Sequence, residues 1–410
     1  MSDTDSTDGA GEAGMANSVG ARRELRIERL VAGGDALARD SDGRVVFVDN
    51  GLPGEAIEAE FTEVKRDFAR ARMVRVMTAS PDRVVPPCRH VADGCGGCDW
   101  QHLSTRAQHD AKVNVVREAF ARTARMPEAS IVRGAAVGHE ASRTTVRMAV
   151  TNGGRLGFRR AASHDTVDIE RCLVMHPLLQ ELVSSVGVRG DGEVTLRCSV
   201  ATGERAVWSH DKARLLGLPD DVAAGAAAVV HEDIAGARLR VSMASFFQAS
   251  PQAAELLVDA VARAAGDSLD GHDGVVVDAY GGVGLFAATA VPIGVQCVLV
   301  ESSESACTDA RENLRGRSAK VVHSRFEHWR AQRAGLVIAD PARSGLGKAG
   351  ITTLLDTAAP TVVLVSCDAV AAARDARLLA DADYELVSAE VLDIFPLTHH
   401  VEVVSRFERR

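Results

Sequence analysis

Val275-Val276-Val277-Asp278-Ala279-Tyr280-Gly281-Gly282-Val283-Gly284-Leu285-Phe286 holds a run of β-branched residues, a carboxylate and a glycine-rich turn. Three consecutive valines predict a buried parallel strand, and the glycines let the backbone turn tightly before a helix that starts at Leu285. Gly282-x-Gly284-x-x-Ala287 also fits a nucleotide-binding fingerprint, in which missing side chains allow close backbone approach. The next strand, Val295 to Val300, leads to Glu301, whose carboxylate can accept both hydroxyls of a ribose. A glycine-rich strand, turn and helix is a weak signal alone, so its meaning depends on what surrounds it.

The last third of the chain alternates strands with helices, the mark of an open parallel sheet. Ser250 can cap a helix with Pro251 at its first position, just after Ser245-Phe246-Phe247-Gln248. Leu336 to Ala339 delivers Asp340-Pro341-Ala342-Arg343, and Val362 to Val365 delivers Ser366-Cys367-Asp368. Ligands of such sheets bind beyond the carboxyl ends of the strands, where Asp278, Glu301, Asp340 and Cys367 would gather. Phe395-Pro396-Leu397-Thr398-His399-His400-Val401-Glu402 adds a candidate base to this nucleophile and hydrogen-bonding acid.

Upstream, short alternating runs from Glu24 to about Val76, separated by Gly33-Gly34-Asp35, Ser41-Asp42-Gly43 and Asn50-Gly51, predict a small β-barrel. Its last strands carry Lys65, Arg66, Arg70, Arg72 and Arg75, either a phosphate-tracking face or a solvated basic strand. Arg143, Arg147, Arg155, Arg159 and Arg160 pose the same choice further on. Between these groups stands Cys88-x6-Cys95-Gly-Gly-Cys98-Asp-Trp100, a spacing that points to metal rather than to inert core thiols. Cys172 is the expected fourth ligand, because Cys198 alternates with apolar residues in a strand-like run. Zinc and an iron–sulfur cluster both accept four thiolates. Cys198, Cys297 and Cys307 read as space-filling side chains. Ser104 to Arg125 reads as a helix ended by Met126-Pro127, and Pro177 to Arg240 carries no usable motif.

Bulk properties narrow the class. The 410 residues predict about two or three domains, and 47 Lys+Arg against 56 Asp+Glu exclude a generic polycation. The first twenty residues lack Lys and Arg and contain Asp3, Asp5, Asp8 and Glu12, unlike a secretory signal, and read as a disordered tail. No apolar run is long enough for a bilayer, and eight cysteines without secretory context point to a reducing cytoplasm.

Taken together, from about Arg22 onward, these motifs resemble the S-adenosylmethionine-dependent RNA uracil-5-methyltransferases. The resemblance implies an α/β fold: a disordered tail at 1–21, a TRAM-like RNA-binding barrel at 22–80, a central iron–sulfur region at 81–243, and a Rossmann-like class I methyltransferase domain at 244–410. The helix at 104–125 would pack on that last domain. It implies a [4Fe-4S] cluster on Cys88, Cys95, Cys98 and Cys172, with zinc as the alternative. S-adenosylmethionine would meet Gln248, Asp278, Tyr280, Gly282, Gly284, Glu301 and Asp340. Cys367 would be the nucleophile, Glu402 the base, and Asp340 the residue that orients the uracil. The implied partner is RNA, 23S ribosomal RNA ahead of transfer RNA, acted on by a cytoplasmic monomer without DNA or membrane. Gly281 stands where the family often has cysteine, Ala342 where a second proline is usual, and Asp368-Ala369 where Asn-Pro is usual. A nicotinamide-dependent oxidoreductase would leave Asp340, Cys367 and Glu402 without a role. Radical chemistry would need a different cysteine spacing, and a non-catalytic RNA-binding module would tolerate loss of Cys367.

Overall fold

A computed structural model describes residues 18–271 and 274–410, so most of the tail expected at 1–21 lies outside the described residues. Five strands, β1 (Arg22–Leu30), β2 (Ala36–Arg39), β3 (Val45–Asp49), β4 (Ala56–Val64) and β5 (Phe68–Thr78), close a barrel in the order β1-β2-β3-β5-β4. Period-two alternation along β4 turns Ile57, Ala59 and Phe61 inward, where they meet Leu25, Ile27, Val46 and Val48. The outward positions answer the question left by the basic strand. Antiparallel register sets Arg75 opposite Glu58, Arg72 opposite Glu60 and Arg70 opposite Glu63. Arg75 lies 2.6 Å from Glu58, Arg70 lies 2.8 Å from Asp35, and Lys65 lies 3.0 Å from Glu63. Charge on this face is balanced across the strands, which favours the solvated-strand reading over an open cationic track.

Beyond the barrel, α1 (Thr105–Ala119) is capped by Ser104, whose hydroxyl accepts the Ala107 N–H. One wider turn follows over Phe120–Ala124, and Arg125, in the left-handed region at φ 59°, ends the run where the sequence predicted it. The next strand is β6 (Ile131–Ala136). Strands β7 (Thr145–Val150), β8 (Leu156–Arg159) and β9 (Thr166–Asp168) precede α2 (Pro177–Ser185), β10 (Gly187–Arg189), β11 (Glu193–Cys198), β12 (Arg205–Ser209), β13 (Arg214–Leu216) and β14 (Val222–Ala224). Six of them form a sheet in the order β14-β12-β11-β7-β8-β9, and β10 pairs with β13. Val146, Met148, Leu179, Leu196 and Val207 fill its core, and Cys198 is buried among them as a space-filling thiol. A hairpin of β15 (Val229–Ile234) and β16 (Ala237–Ser242) leads onward.

The C-terminal layer contains α3 (Pro251–Ala265), β17 (Val276–Ala279), α4 (Leu285–Thr289), β18 (Cys297–Glu301), α5 (Glu304–Asn313), β19 (Ala319–His323), β20 (Leu336–Ala339), α6 (Gly347–Asp356), β21 (Thr361–Ser366), α7 (Ala369–Ala380), β22 (Tyr384–Asp393) and β23 (Glu402–Arg409). Ser250 caps α3 and Pro251 opens it, as predicted. The sheet runs β19-β18-β17-β20-β21-β23-β22-β6, parallel except at β23, which is antiparallel to both neighbours. Successive residues of each parallel strand face opposite cores: Val276, Leu299, Ile338 and Val363 on one side, Val277, Val300, Val337 and Val362 on the other. The order reverses at β17, which pairs with both β18 and β20 and so opens a crevice at its carboxyl end.

One boundary differs from the sequence reading. Residues 105–136 were assigned to the central region at 81–243, yet β6 closes the far edge of the C-terminal sheet by parallel pairing with β22. α1 packs beneath it, as the sequence anticipated for that helix. Among the described residues no helix is long and apolar enough to cross a membrane.

Candidate active site

At the end of β17, Asp278 is fully buried and its Oδ2 accepts the Ala287 N–H at 3.1 Å, which fixes the first turn of α4. Among the described residues its Oδ1 has no hydrogen-bond partner. Tyr280, Gly282 and Gly284 all have positive φ, at 59°, 54° and 90°. A non-glycine residue there is a strained conformation of the kind that collects at functional sites. Tyr280 is held by its hydroxyl, which donates to Glu327 at 2.6 Å, and by the Phe326 ring. The departure at Gly281 has a local cause: a β-carbon there would lie 2.5 Å from Leu299 Cγ. Glu301 closes the loop by accepting the Gly282 N–H at 3.0 Å and the Ser303 N–H at 2.6 Å. Burial pushes the Asp278 carboxyl up to about 7, and Asp340 and Glu301 push the same way.

Gln248 is buried beside Phe247, and Phe247 packs in one cluster with Val283, Leu285 and Phe286 of the glycine loop. The approach to Gln248 is anchored by buried Asp309, which accepts the Ser242 N–H at 2.8 Å and the Ser245 hydroxyl at 2.6 Å and pairs with Arg240. Neither Asp309 nor Glu327 was singled out from the sequence. Each sits on or beside an ordinary amphipathic segment, and only the fold turns it inward.

A second group forms one strand over. The β21–β23 ladder ends at the Ser366–Val403 pair, so Cys367, just past β21, and Glu402, the first residue of β23, come together at its open end, where the Glu402 charge acts on the thiol. The Asp340 N–H donates to Ala279 O at 3.2 Å, which brings the β20 end against the β17 end. Ser366 Oγ and Glu402 Oε1 are buried and have no hydrogen-bond partner among the described residues. Burial and mutual repulsion hold the Glu402 carboxyl well above the carboxylate range, and burial raises Asp340 likewise. Burial raises the Cys367 thiol to about 11, Glu402 and Asp340 add to this, and Arg343 opposes it. Asp368 performs the capping that asparagine could: its carboxylate accepts the Val370 and Ala371 N–H groups at 3.0 and 2.8 Å. Burial pushes His400 down to about 4, and Arg343 reaches its Nε2 at 3.4 Å.

Cys88, Cys95, Cys98 and Cys172 line one cavity of about 250 Å³, with Gln101 and Arg143 beside them. Among the described residues no three His, Cys, Asp or Glu groups stand close enough together to ligate a metal. The chemistry of the donor set nevertheless fits one. The Gly97 N–H faces the Cys95 sulfur, the Val174 and Met175 N–H groups face Cys172, and Arg143 supplies positive charge. Cys198, the rejected candidate, lies instead in the core of the central sheet.

The loop between β22 and β23 is gripped from two sides. Buried Lys112 of α1 donates to Asp393 at 2.6 Å and to Phe395 O at 2.8 Å. Gln108 accepts the Leu397 N–H at 2.8 Å and donates to Trp100 O at 3.1 Å. From the cysteine arm, Trp100 N–H donates to Leu397 O at 3.0 Å, and Asp99 accepts the His399 N–H at 3.2 Å and pairs with its ring. The Trp100 indole donates to Gly34 O of the barrel at 3.1 Å. The sequence reading missed this clamp, whose members are far apart in the chain.

A TRAM domain is matched over residues 17–74. A Streptomyces avermitilis protein described as an uncharacterised RNA methyltransferase is 33% identical over 95% of this chain and 99% of its own length. The 23S rRNA (uracil(1939)-C(5))-methyltransferase RlmD of Halomonas elongata is 32% identical over 93% of this chain and 88% of its own. The Pyrococcus abyssi tRNA (uracil-54, C5)-methyltransferase, solved with S-adenosyl-L-homocysteine, shares the fold at a TM-score of 0.72 and 22% identity, over 94% of this chain and 100% of its own. By this full-length kinship the chain belongs to the S-adenosylmethionine-dependent RNA uracil-5-methyltransferases.

Proposed function

We propose that this enzyme converts a uridine of 23S ribosomal RNA to 5-methyluridine, with Cys367 as nucleophile and Glu402 as base. The observation that carries the roles is the end of the β21–β23 ladder, where a thiol and an unpartnered carboxyl meet beside Asp340. Uracil C5 is a weak nucleophile. Addition of the Cys367 thiolate to C6 moves the ring electrons toward C5, which then takes the methyl group as the S–CH3 bond of the donor breaks and its electron pair stays on sulfur, leaving S-adenosylhomocysteine. The Glu402 carboxylate removes the C5 proton, the C5–H electrons re-form the C5=C6 double bond, and the thiolate leaves. Asp340 holds the imide edge of the ring. A paired base cannot reach a crevice of this kind, so the target uridine is flipped out.

S-adenosylmethionine supplies an electrophilic sulfonium methyl group. The unpartnered Asp278 Oδ1, the left-handed turn at Tyr280, Gly282 and Gly284, and the lone pairs left on Glu301 fit its ribose and backbone-hugging parts, with Gln248 at the same end of the sheet. Cys88, Cys95, Cys98 and Cys172 would hold a [4Fe-4S] cluster, or zinc in its place, which would tie the cysteine arm to the central sheet as a crosslink. In this reading 22–80 is the RNA-binding barrel, 244–410 the catalytic domain, and 81–243 the cluster-bearing region that lends α1 and β6 to the catalytic sheet.

The test is incubation of anaerobically purified protein with radiolabelled methyl donor and separate ribosomal and transfer RNA pools lacking 5-methyluridine, followed by nucleoside analysis. Label in 5-methyluridine from the ribosomal pool is expected, and Cys367→Ala abolishes it. Label confined to the transfer RNA pool would replace the substrate assignment. Label in another nucleoside would overturn the uracil-5 reading.

A further inference from the structure

Glu402 is buried, yet among the described residues its Oε1 has no hydrogen-bond partner. Glu402 opens β23 and pairs with Leu392 of β22, so its carboxyl is aimed by the strand on one side and by the loop that enters it on the other. That loop is unusual. Leu397, five residues upstream, sits at φ 63°, a conformation that costs a non-glycine residue on the order of 1–3 kcal/mol and persists only when surroundings impose it. The imposing groups come from immediately after Cys98. Trp100 N–H donates to Leu397 O, while Gln108, itself bound to Trp100 O, accepts the Leu397 N–H. Asp99 holds His399 through both its backbone N–H and its ring. The arm is braced in turn by the barrel turn through the Trp100 indole and Gly34.

We propose that Asp99 is a positioning residue for Glu402, acting through the His399 backbone to hold the proton-abstracting carboxylate over the uracil. The inference rests on the role assigned to Glu402 above. It requires that loosening Asp99 impair elimination more than thiolate addition, because Cys367 follows the end of β21, whereas Asp99 grips the loop that leads to Glu402. A displacement of about 1 Å at a reacting group can cost roughly 100-fold in rate, so Asp99→Ala is expected to slow release of methylated RNA by about 10- to 100-fold. The covalent Cys367–RNA species should then accumulate.

The experiment compares wild type, Asp99→Ala, Asp99→Asn and Glu402→Gln as full-length, anaerobically purified proteins. Three readouts are taken: hydrogen exchange of the peptide covering 395–402, covalent adduct with uridine-containing RNA on denaturing gels, and methylated product. Asp99→Ala should expose 395–402 to exchange and trap adduct. Asp99→Asn, which keeps an acceptor for the His399 N–H, should restore most of both. Unchanged protection of 395–402 in Asp99→Ala, or adduct and product falling together while Glu402→Gln traps adduct, overturns the positioning role. Failure of Glu402→Gln itself to trap adduct overturns the assignment of the base, independently of what the loop does.

Discussion

Lys112→Met tests whether the grip of α1 on the β22–β23 loop is as consequential as its geometry implies. Lys112 is fully buried, and its ammonium contacts Asp393, itself only 2% exposed, at 2.6 Å and Phe395 O at 2.8 Å. Burial lowers the Lys112 pKa while Asp393 raises it, so the pair survives because each charge compensates the other. Removing one member leaves Asp393 charged and enclosed, which typically costs about 3–5 kcal/mol. Loss of the donor to Phe395 O adds about 1–3 kcal/mol if that carbonyl finds no water. We expect a total near 4 kcal/mol, because the loop can relax toward solvent. Adding Asp393→Asn should recover about half, since it neutralises the stranded charge. Urea unfolding, followed by exchange of the β22 peptides so that the transition belongs to this layer, measures both values. A single-variant loss below about 1 kcal/mol, or no recovery in the double variant, would show that this ion pair does not hold the loop.

Other consequences can be checked more briefly. Gly281→Ala drives a β-carbon against Leu299 and should cost about 1–3 kcal/mol and weaken donor binding, with Leu299→Val restoring much of both; an unchanged melting temperature would refute it. The Asp278 carboxyl is raised in the fold to about 7, so the unfolded chain gives up its proton first as pH rises. Its contribution to ligand-free stability is therefore full below about pH 4 and is lost as pH climbs through 7, and the gap in melting temperature between Asp278→Asn and wild type should widen over that window. Stripping metal with a chelator should expose 88–102 and, through Asp99 and Trp100, 395–400 to hydrogen exchange while the barrel stays protected; equal exposure of the barrel would argue for general unfolding. Iron and sulfide in the anaerobic protein would support the cluster, and zinc alone would replace it.

Much of this architecture was legible because it depends on local chemistry. The valine run with its glycines, the Ser250-Pro251 helix start and the Ser104 cap each declare themselves within a few residues, and all stand where expected. Carboxyl-end clustering of Asp278, Glu301, Asp340 and Cys367 followed from parallel-sheet geometry. Strand β2, Ala36–Arg39, escaped because four residues, two of them alanines, carry little periodicity. Charge balance on β5 could not be read, since its partners lie on β4 at register positions that only pairing fixes. The same limit hid the Asp99, Gln108 and Lys112 clamp: polar side chains on a helix or loop look solvated until a distant segment covers them.

The edge strand β6 imposes an order on biosynthesis. Ile131 pairs with Ala389, so one margin of the catalytic sheet is translated before the linker to α3 and its neighbour emerges after over half the chain has been made. During that interval β6 and the buried face of α1, including Lys112, have no partner from their own sheet. The 244–410 segment released alone would carry an open β22 edge and an Asp393 with no counter-ion. Dissecting the enzyme at its apparent domain boundary should therefore yield an aggregating fragment, whereas co-expression of 81–140 in trans should return it to solution.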